Sequence, residues 1–248
     1  MNSNSYTLKI VTLENAFESI ETLRAASCFI DMMRTRALGF RSAYPKSFLP
    51  VDRVDFFSRH HLFYIRNHNE WVPFGCYKTV SMSSCEFYGH EFPLLTFMKS
   101  IDAREHLESI ESTISEAKQS NRDILYGGGL TLTPQFRKIN TTSTKMQEII
   151  AALVFQDCID YGDPIYMTAA ANRFRVNELF EKIGFEPLKN NQVALPPVPI
   201  VSAANEPTTL MRAAKLKKYA QVCYRRHHNL IVSREIVRCE SEKTDLAA

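Results

Sequence analysis

The 248-residue chain has no run of roughly 18 consecutive apolar residues, so nothing in it reads as a membrane-crossing helix. Its opening residues, MNSNSYTLKI, show no basic stretch followed by an apolar one, and no secretory leader is expected there. Charge is nearly balanced, 30 Lys and Arg against 27 Asp and Glu. A net charge of +3 does not argue for a nucleic-acid partner. The six cysteines include no CxxC pair, which fits reduced thiols in a cytoplasmic protein better than a disulfide framework. Cys76, Cys85 and His90 match no common zinc spacing, so no metal is expected. Glycine is scarce as well, eight in all, which makes the consecutive Gly127, Gly128 and Gly129 conspicuous. The chain does have a hydrophobic fraction of 45% with 23% charged residues, the balance of a folded domain with a real core.

The residues YTLKIVTL (6–13) read as a first strand, and apolar spacing from Glu14 to Ala43 predicts a helix. HLFYIRN and WVPFGCYKTVSM predict two antiparallel strands, with Pro73 at a strand start or edge. The segment 102–121 predicts an amphipathic helix capped by Asp102. ILYGGGLTL reads as a strand whose glycines mark a bulge or a close backbone approach. A helix from about Thr144 to Tyr161, a strand PIYMTAA and a helix NRFRVNELFEKIG follow. Strand–helix–strand–helix predicts a partly parallel sheet. Beyond Pro187 the texture becomes proline-rich and then basic. Leu210, Ala213, Leu216, Ala220 and Cys223 can form one stripe of a basic helix.

The run between Leu132 and the helix at Thr144 concentrates short polar and basic side chains: Arg137, Lys138, Asn140, Thr141, Thr142, Ser143, Thr144 and Lys145, with Ile139 among them. A helix start offers unpaired N–H groups and partial positive charge, so a phosphate could sit there. A solvated, well-capped turn is the competing reading, since Ser and Thr are ordinary caps.

These features together resemble the acyl-CoA-binding core of the GNAT N-acyltransferase superfamily, over about residues 127–188 and more loosely from Tyr6. Its [RQ]xxGx[GA] loop is matched by Arg137 to Thr142, with Asn140 and Thr142 in place of glycines. Its N-x7-[Y/F]-EKxGF signature is met by Asn172 and by Phe180 to Phe185. The resemblance implies an α/β (α+β) fold with a mixed central sheet flanked by helices. It divides the chain into an acyltransferase domain at 1–190 and a basic helical extension at 191–248 packed on it. It also implies a donor bound as acyl-CoA or acyl-carrier-protein thioester. The donor arm then lies on Leu130, Thr131 and Leu132, its pyrophosphate on residues 137–145, and Asn172 beside it. Glycines 127–129 leave room for an acyl chain next to Tyr126.

Arg36, Phe40, Asp52, Asp55 and Phe63 are similar to the R-x3-F, D-x2-D, F order of acyl-homoserine-lactone synthases and N-acyl amino acid synthases. Lys78 stands where those usually have arginine. Arg36, Phe40 and Lys78 are thereby implied as substrate contacts, and an amine such as an amino acid as acceptor. The lactone synthases' E-x2-R pair has no counterpart in GGGLTL, which counts against lactone synthesis. Phe180 replaces the tyrosine that many relatives use as general acid.

Thioester aminolysis needs an oxyanion donor and a base for the amine. Glu86, Tyr126, Asp52 and Asp55 are the candidates by residue type, with His60 or His61 behind them. Each also has a bland explanation, such as pairing of the aspartates with Arg53 and Arg59. The basic segment around Lys217 and Lys218 could face an acidic carrier protein or simply be solvated; nothing in it resembles a nucleic-acid motif. An alternative to an enzyme is a non-catalytic protein of the same fold that binds CoA or an acyl ligand; a small-acyl protein acetyltransferase fits the core but not the long N-terminal half.

Overall fold

The computed structural model describes residues 7–46, 51–137, 140–200 and 205–239. Strand β1 (Leu8–Leu13) leads into the short helix α1 (Ala16–Ser19) and the long helix α2 (Leu23–Ala43). The single helix expected from Glu14 is therefore two, because the Thr22 side chain accepts from the Ala25 N–H at 3.1 Å and starts a fresh cap. Helix α3 (Val54–Phe57) precedes β2 (Arg59–Asn67) and β3 (Glu70–Ser81), the expected antiparallel pair. Pro73 lies at the end of β3 that pairs with β2 alone, beside a register shift, where a missing N–H costs no ladder bond.

Helices α4 (Met82–Phe87), α5 (Pro93–Ser100) and α6 (Arg104–Gln119) come next. Asp102 is not the cap of α6. It takes a left-handed φ of 50°, and the helix starts after Ala103. Strand β4 (Ile124–Leu132), helix α7 (Pro134–Arg137), helix α8 (Asn140–Asp160) and strand β5 (Ile165–Ala171) form the expected crossover, with β4 and β5 parallel. In α8, Met146, Ile149, Ile150, Leu153 and Val154 are all buried, so the helix is apolar on most sides and sits in the core. A 3-10 turn (Asn172–Phe174) and α9 (Val176–Ile183) follow, closed by Gly184 at φ 128°.

The last quarter joins the sheet. After β6 (Glu186–Pro187), a small hairpin β7 (Lys189–Asn190) and β8 (Val193–Ala194), and β9 (Val198–Ile200), strand β10 (Glu206–Ala213) runs antiparallel to β5. Leu210 and Ala213 are thus strand residues, not part of a helical stripe. Beside β5 they fill an open sheet edge, which outweighs the helical spacing of the sequence. Helix α10 (Lys218–Arg226) packs on α8, then come α11 (His228–Val232) and β11 (Glu235–Val237), parallel to β1. The sheet order is β11-β1-β2-β3-β4-β5-β10-β6. Among the described residues no helix is long and apolar enough to cross a membrane.

Candidate active site

Strands β4 and β5 are paired only from Ile124↔Ile165 to Gly127↔Thr168. Past that point β4 stays with β3 and β5 stays with β10, so the sheet forks. The cause is local. Between Cys76↔Thr131 and Lys78↔Gly128, β4 carries two residues, Gly129 and Leu130, against one on β3. Gly129 has φ 62°, the conformation a bulge of this type needs and a side chain resists. The bulge bends β4 away from β5.

A cavity of about 850 Å³ fills the fork, lined by Gly128 to Leu132 on one strand and Thr168 and Ala169 on the other. Met146, Ile150 and Leu179 from α8 and α9 close one end, and Pro93, Leu94 and Phe97 of α5 the other. Its size and its largely apolar walls with a few polar groups are those of a small-molecule site.

At the side formed by α2 and β3 lies a buried charge cluster. Asp55, fully buried, accepts at Oδ1 from Arg36 Nη1 and from Lys78 Nζ, both at 2.7 Å. Its Oδ2 accepts from the Asp52 N–H at 3.2 Å, and the Asp55 N–H donates to Asp52 Oδ1 at the same distance. Burial pushes the Asp55 carboxyl up, but Lys78 and Arg36 more than reverse this and hold it at about 2. A carboxylate so anchored is no general base. Asp55 instead fixes the two cations, which corrects its expected catalytic role and the alternative pairing with Arg53 or Arg59. Arg59 bonds Glu14, Asp157 and Asp160.

Asp52 lines the cavity, more than half exposed, with Oδ1 at 3.9 Å from Lys78 Nζ. Arg36, Phe40 and Lys78 line it too. His60 does not; its Nε2 donates to the Asp55 carbonyl at 2.7 Å, and burial lowers it to about 4, so the ring is neutral. His61 lies in a second buried network. Thr12 Oγ1 is 2.9 Å from its Nδ1, and its Nε2 is 3.3 Å from Asp157 Oδ1. Tyr166 donates to Asp157 Oδ2 at 3.3 Å, and the Tyr77 hydroxyl is 2.8 Å from that of Tyr166.

Glu86 is exposed on α4 and does not line the cavity, so its expected catalytic role fails on position. The helix turns Cys85 inward and leaves its neighbour to solvent. Tyr126 does line the cavity, beside Phe92. Burial, helped by Asp52, pushes its hydroxyl up to about 12, and that hydroxyl has no hydrogen-bond partner among the described residues. It can donate a hydrogen bond but does not serve as a base at neutral pH.

Two glycines differ from expectation. A Cβ at Gly127 would stand 2.1 Å from Tyr77 Oη, so the space beside it holds the protein's own tyrosine, not an acyl chain. At Gly128 the neighbour is Tyr126, its hydroxyl at 2.8 Å and its ring from 2.9 Å. Arg137 is also committed elsewhere: it donates to the carbonyls of Leu132 and Gly39, at 2.8 and 2.7 Å, and to Ser42 Oγ at 3.1 Å. It clamps the end of β4 to α2 while still lining the cavity, and these bonds leave the Leu132 carbonyl unavailable to a donor arm. Asn172 accepts from Thr209 Oγ1 at 2.9 Å and is not part of the cavity wall. Lys138 and Ile139 lie outside the described residues, as do the side chains of Asn140, Thr141, Thr142, Ser143 and Thr144. Helix α8 begins at Asn140, so its first-turn amides fall within the expected anion-binding run. Lys145 is exposed on its second turn.

Sequence reading missed several cavity residues. Tyr44 and Phe174 face Arg137 and Arg173, the Arg137 guanidinium lying 5.6 Å from the Phe174 ring. His90 and Glu91 enter from the turn before α5, a segment to which the sequence reading assigned no element.

No protein-family model matches the sequence, and no curated protein matches it either. Solved structures do match. FeeM, an N-acyl amino acid synthase from uncultured soil microbes, aligns with TM-score 0.51 and 9% identity over 84% of this chain and 91% of its own. BjaI, a CoA-dependent acyl-homoserine lactone synthase solved with SAM and isopentyl-CoA, aligns with TM-score 0.51 and 10% identity over 93% of this chain and 92% of its own. At such identities the likeness is one of fold: the chain has the mixed GNAT sheet flanked by helices.

Proposed function

We propose that this GNAT-fold chain is an N-acyltransferase that moves a fatty acyl group from an acyl-CoA or acyl-carrier-protein thioester to an amine such as an amino acid. The observation that carries the reading is the fork beyond Gly127↔Thr168 with its 850 Å³ cavity. A pantetheine arm needs unpaired strand edge, and β4 offers Leu130 and Thr131 there. The thioester then lies near Gly128 and Gly129. The phosphates lie at the start of α8, with the Arg137 guanidinium on the cavity wall. The two structural neighbours, an N-acyl amino acid synthase and a CoA-dependent acyl-homoserine lactone synthase, are in keeping with this arrangement.

The reaction asks for three things. The carbonyl oxygen needs a hydrogen-bond donor as it becomes an oxyanion, and the unpartnered Tyr126 hydroxyl is the side chain placed for it. The acceptor needs orienting: Arg36 and Lys78 line the cavity as two cations fixed by Asp55, a surface suited to the acceptor's own carboxylate. The acyl chain needs apolar space, which Leu94 and Phe97 provide.

A second reading, a binder of CoA or an acyl ligand without turnover, is favoured by Phe180. It is buried against Phe185 and offers no proton to a leaving thiolate. Thermal shift with CoA, acetyl-CoA and palmitoyl-CoA tests both, since ligand at about a hundred times its Kd stabilises by roughly 2.7 kcal/mol. Acyl amides detected by mass spectrometry after incubation with palmitoyl-CoA and mixed amino acids establish turnover. Stabilisation without product selects the binder, and no stabilisation by any of the three removes a CoA donor.

A further inference from the structure

The transfer proposed above leaves the acceptor amine without a base. A free amine is mostly protonated at neutral pH, so something must take that proton before the lone pair can attack. Among the described residues lining the cavity, the groups able to do so are Asp52, His90, Glu91, Lys78 and the tyrosines. The tyrosines are pushed up by burial and stay neutral. Lys78 is bound to Asp55. Glu91 is bound by Lys99 and by Thr96, which hold its carboxyl below the usual range. Asp52 accepts from the Asp55 N–H with one oxygen and lies 3.9 Å from Lys78, so it is already committed to the buried charge cluster.

His90 differs from all of these. Its ring lies on Phe57 at 5.4 Å between centroids, nearly parallel at 23°, and Phe57 lies in turn on Tyr88 at 4.7 Å. Its backbone N–H donates to the Cys85 carbonyl at 2.8 Å, which fixes the turn. The ring is therefore oriented by packing alone, and neither nitrogen has a protein partner among the described residues. A half-buried imidazole, held in place with both nitrogens free at the edge of a cavity, has the form of a general base awaiting its substrate. The titratable and charged groups on the facing elements are Asp52 and Arg53 ahead of α3, Glu91 and Lys99 at α5, Tyr88 behind Phe57, and Tyr126 on β4.

We infer that His90 takes the proton of the acceptor ammonium. The ammonium gives one proton to the imidazole, and the amine lone pair forms the C–N bond. The C–S bond breaks with its electron pair on sulfur. The second N–H proton neutralises the thiolate, and His90 returns its proton to solvent.

The inference rests on the acyltransferase reading, and its test separates the two. Acyl-amide formation from palmitoyl-CoA and mixed amino acids is followed by mass spectrometry for wild type, His90→Gln, His90→Asn and His90→Gly. The expected result is a kcat lower by about 100-fold, with melting temperature, palmitoyl-CoA stabilisation and donor KM unchanged. The ionisation that raises kcat/KM with pH in wild type should vanish in H90Q, and added imidazole should restore part of the rate to H90G. Wild-type rates and pH profile in H90Q and H90N overturn the inference and leave the transferase standing. Loss of palmitoyl-CoA stabilisation or of the fold in all three variants overturns it too, by making His90 a structural residue. No product from wild type removes both proposals.

Discussion

Tyr77 puts its hydroxyl where a side chain at Gly127 would have to go, with a Cβ there only 2.1 Å from Oη. The glycine before the fork thus makes room for the tyrosine, and the tyrosine reaches Tyr166 at 2.8 Å. Gly127→Ala should destabilise the fold by about 1–3 kcal/mol, the usual cost of overpacking. Tyr77→Phe, which removes the clashing atom, should make the same alanine cheaper. Urea unfolding of the single and double variants measures this, and strictly additive effects would show that the two residues do not meet.

Gly128→Val tests the cavity itself. Its side chain must displace Tyr126, whose hydroxyl an added Cβ already meets at 2.8 Å. The expected outcome is a folded protein that palmitoyl-CoA no longer stabilises in a thermal melt. Retained stabilisation would place the donor somewhere other than the fork.

Asp55→Asn leaves Arg36 and Lys78 buried around a neutral amide. Removing one member of a buried ionic set costs about 3–5 kcal/mol, so the variant should lose that much in chemical denaturation. Lys78→Met keeps the Arg36–Asp55 pair and should cost less, while raising the KM for the acceptor more than that for the donor. Equal effects on both substrates would count against a role in holding the acceptor.

Acid should act in two windows. The folded-state pKa of His60 is lowered to about 4, below the ordinary 6.5. Between these values the unfolded chain binds the extra proton, so stability falls as pH drops through that interval. Asp55 is lowered to about 2, so its contribution is present above the ordinary carboxylate range and disappears as pH falls from there towards 2. Denaturation midpoints at a series of pH values should show the upper window vanish in His60→Gln and the lower one change in Asp55→Asn.

If a carrier protein delivers the acyl group, the exposed basic residues of the α10 region are its docking ground. Lys218 and Arg225 are exposed there; Lys217 is also tethered to the Glu181 carbonyl at 3.0 Å, and Arg226 is engaged by Glu148. Lys218→Glu with Arg225→Glu should raise KM for an acyl-carrier donor, steeply with falling ionic strength, and leave palmitoyl-CoA kinetics alone. Identical kinetics with both donors would dismiss the patch.

Much of the fold was legible because short apolar and β-branched runs bounded by turn residues mark β2, β3, β4 and β5, and a longer apolar run marks α8. The fork could be anticipated from three consecutive glycines, although only Gly129 is there for its backbone angle. What stayed hidden depended on contacts distant in sequence. Nothing in LMRAAK distinguishes a strand from a helix until β5 supplies its ladder. Asp55 looked like a catalytic acid or base until Arg36 and Lys78, from two other elements, were seen to neutralise it. Arg137 looked like a phosphate ligand until the carbonyls of Gly39 and Leu132 claimed its donors. His90 could not be ranked, since its value lies in Phe57 beneath it and open space above.

The pairing of β11 with β1 bears on how the molecule is made. Val11 and Glu235 are neighbours across the sheet, yet nearly the whole sequence lies between them. A nascent chain must therefore carry β1 with one bare edge until residues 235–237 have been made, and such distant pairings close slowly. Clipping the polypeptide just before Glu235 would leave that edge, together with Lys9 and Arg24 that now hold the glutamate, open to strands from other molecules.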